Sequence, residues 1–209
     1  MATAKQKQEQ SRIMGLFIGF LALLPLLIVS VVHYSRLKSK YPENEHSQRI
    51  FDIGNLLQPC ATSVGALFIF YWLYAMLASS KSIAATVIGG LIVVLAIFTF
   101  FKIAQSVAST YFGVLVDPEN DRVLLPKDMA NYSISDYFNL KFITELGTLE
   151  EVPLSEVRRI TRQAGKKLFI HGKFGSRGME FSKKQKRDEC ISAIEDAAKS
   201  RTTIEFETA

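Results

Sequence analysis

IMGLFIGFLALLPLLIVSVVH, Ile13 to His33, runs for 21 residues without an aspartate, glutamate, lysine or arginine. At a rise of about 1.5 Å per residue, a helix of that length covers the roughly 30 Å hydrocarbon core of a bilayer. The flank before it is polar and basic (Lys5, Lys7, Arg12), as in a secretory signal. The apolar run is long, however, and no A-x-A-like cleavage site follows it, so the segment reads as a retained anchor. Pro25 falls mid-run, where a membrane helix accepts proline if its neighbours satisfy the freed carbonyl, and packing is its expected role.

Two further runs follow. The stretch from Ile53 to Ser80 carries no charged residue, has its apolar centre at Val64 to Leu77, and holds Phe68, Phe70, Tyr71, Trp72 and Tyr74. Aromatic residues toward its end suit the bilayer interface. After a short polar turn, Ile83 to Phe101 gives a third run. The chain therefore divides into a tail (1–12), a membrane region (13–109) with spans near 13–33, 60–79 and 83–103, and a polar region (110–209). The second and third spans should form a hairpin, and Gly89 and Gly90 would let a neighbouring helix approach, as small residues in membrane helices mostly do for packing. None of the three cores holds an ionisable side chain of the kind that builds proton relays and ion pathways, which argues against a transporter or pump.

Charge divides the same way. Residues 1–109 hold nine Lys and Arg against four Asp and Glu, whereas residues 110–209 hold sixteen of each. The basic surplus thus lies beside the apolar runs, where anionic headgroups are the natural counter-charge, and the balanced second half lacks the surplus of a nucleic-acid binder. Three spans would put the segment before Arg12 and the Lys81 turn on one side, and the Tyr34 to Asn55 loop, Lys102 and the polar half on the other. The basic counts of the two sides nearly tie, so the positive-inside rule does not orient the chain. Cys60 and Cys190 form no CxxC pair, and His33, His46 and His171 are scattered, so neither a disulfide framework nor a metal site is expected.

From Thr110 onward the pattern becomes that of a small mixed domain. Tyr111 to Val116 and Arg122 to Leu125 flank the turn-rich Asp117 to Asp121 and should pair as a hairpin. In Ile134 to Leu149, Tyr137, Phe138, Leu140, Phe142 and Ile143 fit either a short helix or a strand, and the stretch reads as irregular structure with a strand. Val157 to Arg162, Lys167 to His171 and Gly178 to Ser182 read as further strands, the last two with apolar residues at the period-two spacing of a half-buried sheet. Ser182 to Ser200 reads as a helix, with Ser182 and Gln185 as a capping pair and an apolar stripe of Ile191, Ile194 and Ala198. Cys190 shares that stripe and is expected to be a buried small hydrophobe. Thr203 to Glu207 is expected to add a strand or to hang loose.

The run Leu168 to Arg177 (LFIHGKFGSR), followed by Met179 to Asp188 (MEFSKKQKRD) opening a terminal helix, resembles the bacterial PH-like (pleckstrin-homology-like) domain membrane proteins, as does Pro153 to Val157. The resemblance covers Tyr111 to Ser200 and the helical hairpin before it. It implies a strongly bent antiparallel sheet capped by a carboxy-terminal helix, on the cytoplasmic face of the inner membrane, with a binding or assembly role. The fold class expected is therefore a three-helix membrane region plus a small α+β PH-like domain.

No nucleophile elbow, phosphate loop, dinucleotide glycine pattern or metal-protease motif occurs, so no catalytic residue, cofactor or enzymatic activity is expected. Glu150 and Glu151 read as solvated charges in a loop before Pro153. Lys183, Lys184, Lys186 and Arg187 crowd the start of the terminal helix, where the macrodipole is already positive. With Lys173 and Arg177 from the adjoining turn they form the candidate anion or partner site, set against the alternative of a solvated basic face; no motif for phosphoinositide recognition accompanies them. The expected function is a non-catalytic, multi-pass inner (plasma) membrane protein that contacts membrane lipids and an unidentified protein partner, with homo-oligomerisation through its helices and no nucleic acid. The alternatives are an accessory subunit of a conjugation, entry-exclusion or secretion complex of the envelope, and a lipid-headgroup-binding sensor.

Overall fold

The computed structural model describes residues 24–80, 82–127, 132–139, 141–162 and 165–207. The tail, the first half of the Ile13 to His33 run and Lys81 lie outside them. Helix α1 (24–40), α2 (Leu57–Ala78) and α3 (Ile83–Phe112) pack together. Leu26 and Val29 of α1 meet Ala66 of α2 and Phe100, Ile103, Ala104 and Val107 of α3. Together with its lead-in from Ile53, α2 is long and apolar enough to cross a bilayer, as is α3. Only 6% and 11% of their apolar windows is buried within the chain. The core helix of a water-soluble protein would be largely covered, whereas these two present their apolar surface outward.

Two antiparallel sheets and a terminal helix make up the rest. Strands β1 (Gln48–Ile50), β2 (Val114–Asp117), β3 (Arg122–Pro126) and β4 (Leu149–Pro153) form the first sheet in that order. Strands β5 (Val157–Arg162), β6 (Lys167–Gly172) and β7 (Gly175–Glu180) form the second. A single 3-10 turn, Leu154–Glu156, carries the chain from β4 to β5. Short helices α4 (Ile134–Phe138) and α5 (Lys141–Thr144) lie between β3 and β4, and α6 (Lys184–Glu207) closes the fold. Val114, Val116, Val123, Leu125 and Val152 of the first sheet, Leu168 and Ile170 of the second, and Cys190, Ile191 and Ile194 of α6 share one core.

The expected division between residues 109 and 110 is bridged twice. First, α3 runs unbroken through Ser109 to Phe112, so Tyr111 and Phe112 are helical and β2 starts only at Val114. Second, the segment between α1 and α2 contributes β1, which pairs Gln48 with Val116 and Ile50 with Val114. Ile50 is 1% exposed in the domain core. The expected Tyr34 to Asn55 loop therefore begins as helix, since α1 continues to Lys40. Its last turns lay Tyr34 and Leu37, with Tyr41, over Phe112, Leu115 and Leu124 on the outer face of the first sheet. This explains why β2 is buried at all four positions: one face meets α6 and the other meets α1.

The Asp117 to Arg122 hairpin forms as expected. The Asp117 carboxylate accepts from the Asn120 side chain (2.7 Å) and from Arg122 Nε (3.0 Å). Three other expectations are corrected. Residues 134–138 and 141–144 are helical, and the strand expected within Ile134 to Leu149 only begins at Leu149. Strand β7 begins at Gly175, three residues before the expected Gly178, because the reversal after β6 needs only Lys173 and Phe174. Residues 203–207 continue α6.

Candidate interaction surface

The six basic residues singled out in the sequence do not converge. Lys173 occupies the β6–β7 turn, while Lys183 and Lys184 lie beyond the other end of β7. A strand of this length separates them by roughly 20 Å. Arg177 donates from Nε to Glu150 Oε1 at 2.5 Å. Arg187 is 9% exposed and donates from Nη1 to the Gly165 carbonyl (2.6 Å) and from Nε to Asp188 (2.9 Å), so it fixes the β5–β6 turn to α6. Lys186 pairs with Glu189 at 2.7 Å and lies over the Phe51 ring. Lys173, Lys183 and Lys184 remain exposed. Internal pairing of Lys186 and Arg187 offsets part of the unfavourable charge at the start of α6.

Asp52 is what gives Lys183 and Lys184 a defined place. It caps the 3-10 turn Ile53–Leu56 by accepting from the Gly54 amide at 3.1 Å. The same carboxylate accepts from both the amide and the hydroxyl of Ser182. Ser182 therefore turns toward Asp52, not toward the expected partner Gln185, and α6 opens at Lys184. Asn55 Nδ2 adds a bond to the Glu180 carbonyl at 2.7 Å. Gly54 makes the approach possible, because a Cβ there would overlap the Ser182 side chain. Ile53 and Leu57 are 63% and 77% exposed at the root of α2. The clamp thus sets two free lysines beside exposed apolar side chains at the end of a bilayer-length helix, the composition of a membrane-surface contact.

Glu150 and Glu151 are not loop charges but neighbours on β4. The Glu150 side chain is 15% exposed, against Arg177 and with Lys127 Nζ at 3.9 Å. Lys127 also faces Glu145, whose carboxylate accepts from the Tyr132 hydroxyl. Carboxylates and cations alternate through this group, which suits a structural tie between β3, β4 and β7. Among the described residues no cluster of three or more His, Cys, Asp or Glu could hold a metal ion.

Cys190 is fully buried on the core face of α6. Burial, with a smaller contribution from Glu189, pushes its thiol up to about 12. Since the thiolate is the reactive form, maleimide labelling of Cys190 near neutral pH should proceed only through opening of the domain, about 100-fold or more slower than in denatured chain. Peptide-resolved mass spectrometry of labelled protein checks this; labelling of the folded chain at the denatured rate would refute the packing described.

The outer face of the second sheet is a further candidate surface. Register places Arg159 beside His171 and Thr161 beside Phe169 on β5 and β6, with Gly178 of β7 opposite Phe169. Thr161 Oγ1 and His171 Nε2 are 2.7 Å apart, and the Phe169 and His171 rings stack. Arg159 and Phe169 are the residue types enriched at protein interfaces. Reading the sequence for charge runs passed over this face, although RRITR in β5 carries three arginines in five residues. Comparison of the chain with protein-family models, with characterised proteins and with solved structures finds no match.

Proposed function

We propose that the chain is a non-catalytic, membrane-anchored interaction protein of a bacterial inner membrane, with three spans and a PH-like domain that meets a protein partner at the bilayer surface on the cytoplasmic side. The PH-like reading is supported by the four-plus-three arrangement of antiparallel strands and by a single terminal helix whose apolar residues complete the core. The anchored reading is supported by two bilayer-length helices with outward apolar surface. The observation that carries the functional reading is the Asp52–Ser182 clamp. It ties the start of α6 to the root of α2, so the domain is not a tethered ball on a linker but has one edge, with Lys183 and Lys184, held toward the bilayer.

The outer face of the β5–β6–β7 sheet is then the surface offered to a partner. A photo-crosslinking residue in place of Arg159 in the full chain, in native membranes, should give a discrete protein adduct that the same residue at exposed Glu195 does not. Introducing Phe169→Ala should reduce that adduct several-fold while leaving the melting temperature within a few degrees. Identical adduct patterns from both positions, or an adduct indifferent to Phe169, would remove this face from the role.

A further inference from the structure

Where α1 leaves the apolar bundle, an open cleft of about 440 Å³ lies between α1, the Gln105 turn of α3 and the approach to β4. Its size is that of a small-ligand site. His33, Arg36, Lys40 and Tyr41 line one side, and Gln105 and Thr148 line the other; no carboxylate lines it. Arg49, Arg122, Lys127 and Arg177 each face an acidic group. Arg36 and Lys40 stand in no such pair among the described residues; Lys40 rests on the ring of Tyr41 at 4.9 Å. Two exposed cations and several donors thus converge on a space without a counter-charge.

The depth of the cleft identifies the counter-charge. The uncharged run of α1 ends at His33, and Arg36 lies three residues beyond it, about 5 Å along the axis. On α3 the facing Gln105 likewise lies beyond the first charge after the apolar run, Lys102. Arg36 and Lys40 therefore stand just past the apolar zone of α1, and the cleft opens where phosphates of a bilayer lie. Below it, Ile28, Val31 and Val32 of α1 and Phe98 and Phe101 of α3 expose apolar surface along which acyl chains fit.

The remaining wall is held rigidly. Lys102 Nζ donates to the Thr144 carbonyl at 2.6 Å. Gly147, at φ +76°, lies so close to α3 that a Cβ would overlap the backbone of Gln105 and Ser106. Such a position is open to glycine alone.

We propose that this cleft seats the phosphodiester headgroup of an anionic phospholipid, with Arg36 and Lys40 neutralising its charge. The site depends on α1 and α3 lying in a bilayer and not on the protein-partner reading above. Native mass spectrometry of the full chain in non-ionic detergent, titrated with phosphatidylglycerol, phosphatidylcholine or inorganic phosphate, tests it. Phosphatidylglycerol should be retained in preference to phosphatidylcholine, and millimolar phosphate should not displace it.

R36Q/K40Q should abolish the preference, with a loss of roughly fivefold per charge. K166Q/K167Q, which removes the same charge elsewhere, should keep it. Should the double variant fold poorly, R36Q and K40Q singly should each lower the preference about fivefold. Equal retention of both lipids, a preference that survives R36Q/K40Q, or displacement by phosphate alone would overturn the proposal, the last by assigning the cleft to a soluble anion. Release of the chain from membranes without detergent would instead refute the membrane placement itself.

Discussion

Replacing Gly113 with alanine should destabilise the full chain by about 3 kcal/mol or more and free β1 from the sheet edge. Gly113 ends α3, donating its amide to the Ser109 carbonyl at 3.0 Å, and turns the chain directly into β2. It does so at φ 73° and ψ −142°, a conformation that side chains with a Cβ scarcely reach. The space is closed as well: a Cβ would overlap the Ile50 carbonyl oxygen and lie 2.9 Å from Phe51 Cα.

Neither contact can yield cheaply, because Ile50 is both paired with Val114 and buried in the core. Relief therefore requires β1 to move away, which uncovers Ile50 and loosens the chain leading to Asp52. Thermal unfolding in detergent and hydrogen exchange across residues 41–56 measure the two effects. A Gly113→Ala protein with wild-type melting and unchanged exchange would show that the junction is not fixed as described.

That junction also marks where sequence reading stops. The apolar runs of α2 and α3 are legible because the bilayer imposes length and composition on a segment by itself, with no distant partner needed. The Asp117 to Arg122 hairpin and β6 are legible for a similar reason, since turn chemistry and period-two alternation are local. Strand β1 is not: QRI has three residues and no alternation to speak of, and its extended form depends on β2, more than sixty residues later. Strand β7 begins with Gly175 and Ser176, which signal a turn by composition and become strand through their bonds to β6. Residues 203–207 favour a strand by propensity, yet helix propagation from the core-packed part of α6 prevails.

The candidate site behaves alike. Clustered lysines at the start of α6 can be read directly, but Glu150, Asp188 and Gly165 as partners of Arg177 and Arg187 are tertiary facts. Asp52, a lone acid just before an apolar run, carries the sequence signal of a helix cap. Its bond to a serine 130 positions away carries none.

Loss of the Asp52 carboxylate should be the second large effect. Asp52→Ala removes the acceptor for the Ser182 amide, the Ser182 hydroxyl and the Gly54 amide together, in a place only 9% exposed. Charge-assisted bonds lost with donors left behind cost about 2–4 kcal/mol. Asp52→Asn keeps an acceptor oxygen and should cost about half as much. Acid provides an independent test. Burial by itself would raise the Asp52 pKa, but bonds from the hydroxyl and amide of Ser182 and from the Gly54 amide, with the charge of Lys186, outweigh it and hold the group below the ordinary carboxylate value.

A depressed folded pKa contributes stability that is complete above the unfolded pKa, near 4, and fades as pH falls through the lower folded value. The difference in stability between wild type and Asp52→Asn should accordingly be constant from neutral pH down to about 4 and shrink below it. Over the same window hydrogen exchange at residues 180–187 should rise in wild type, because the start of α6, and Lys183 and Lys184 with it, is then no longer held to the root of α2. Stability curves of the two proteins that stay parallel down to pH 2 would mean that Asp52 does not close the clamp as a carboxylate, and the membrane-facing edge of the domain would need another anchor.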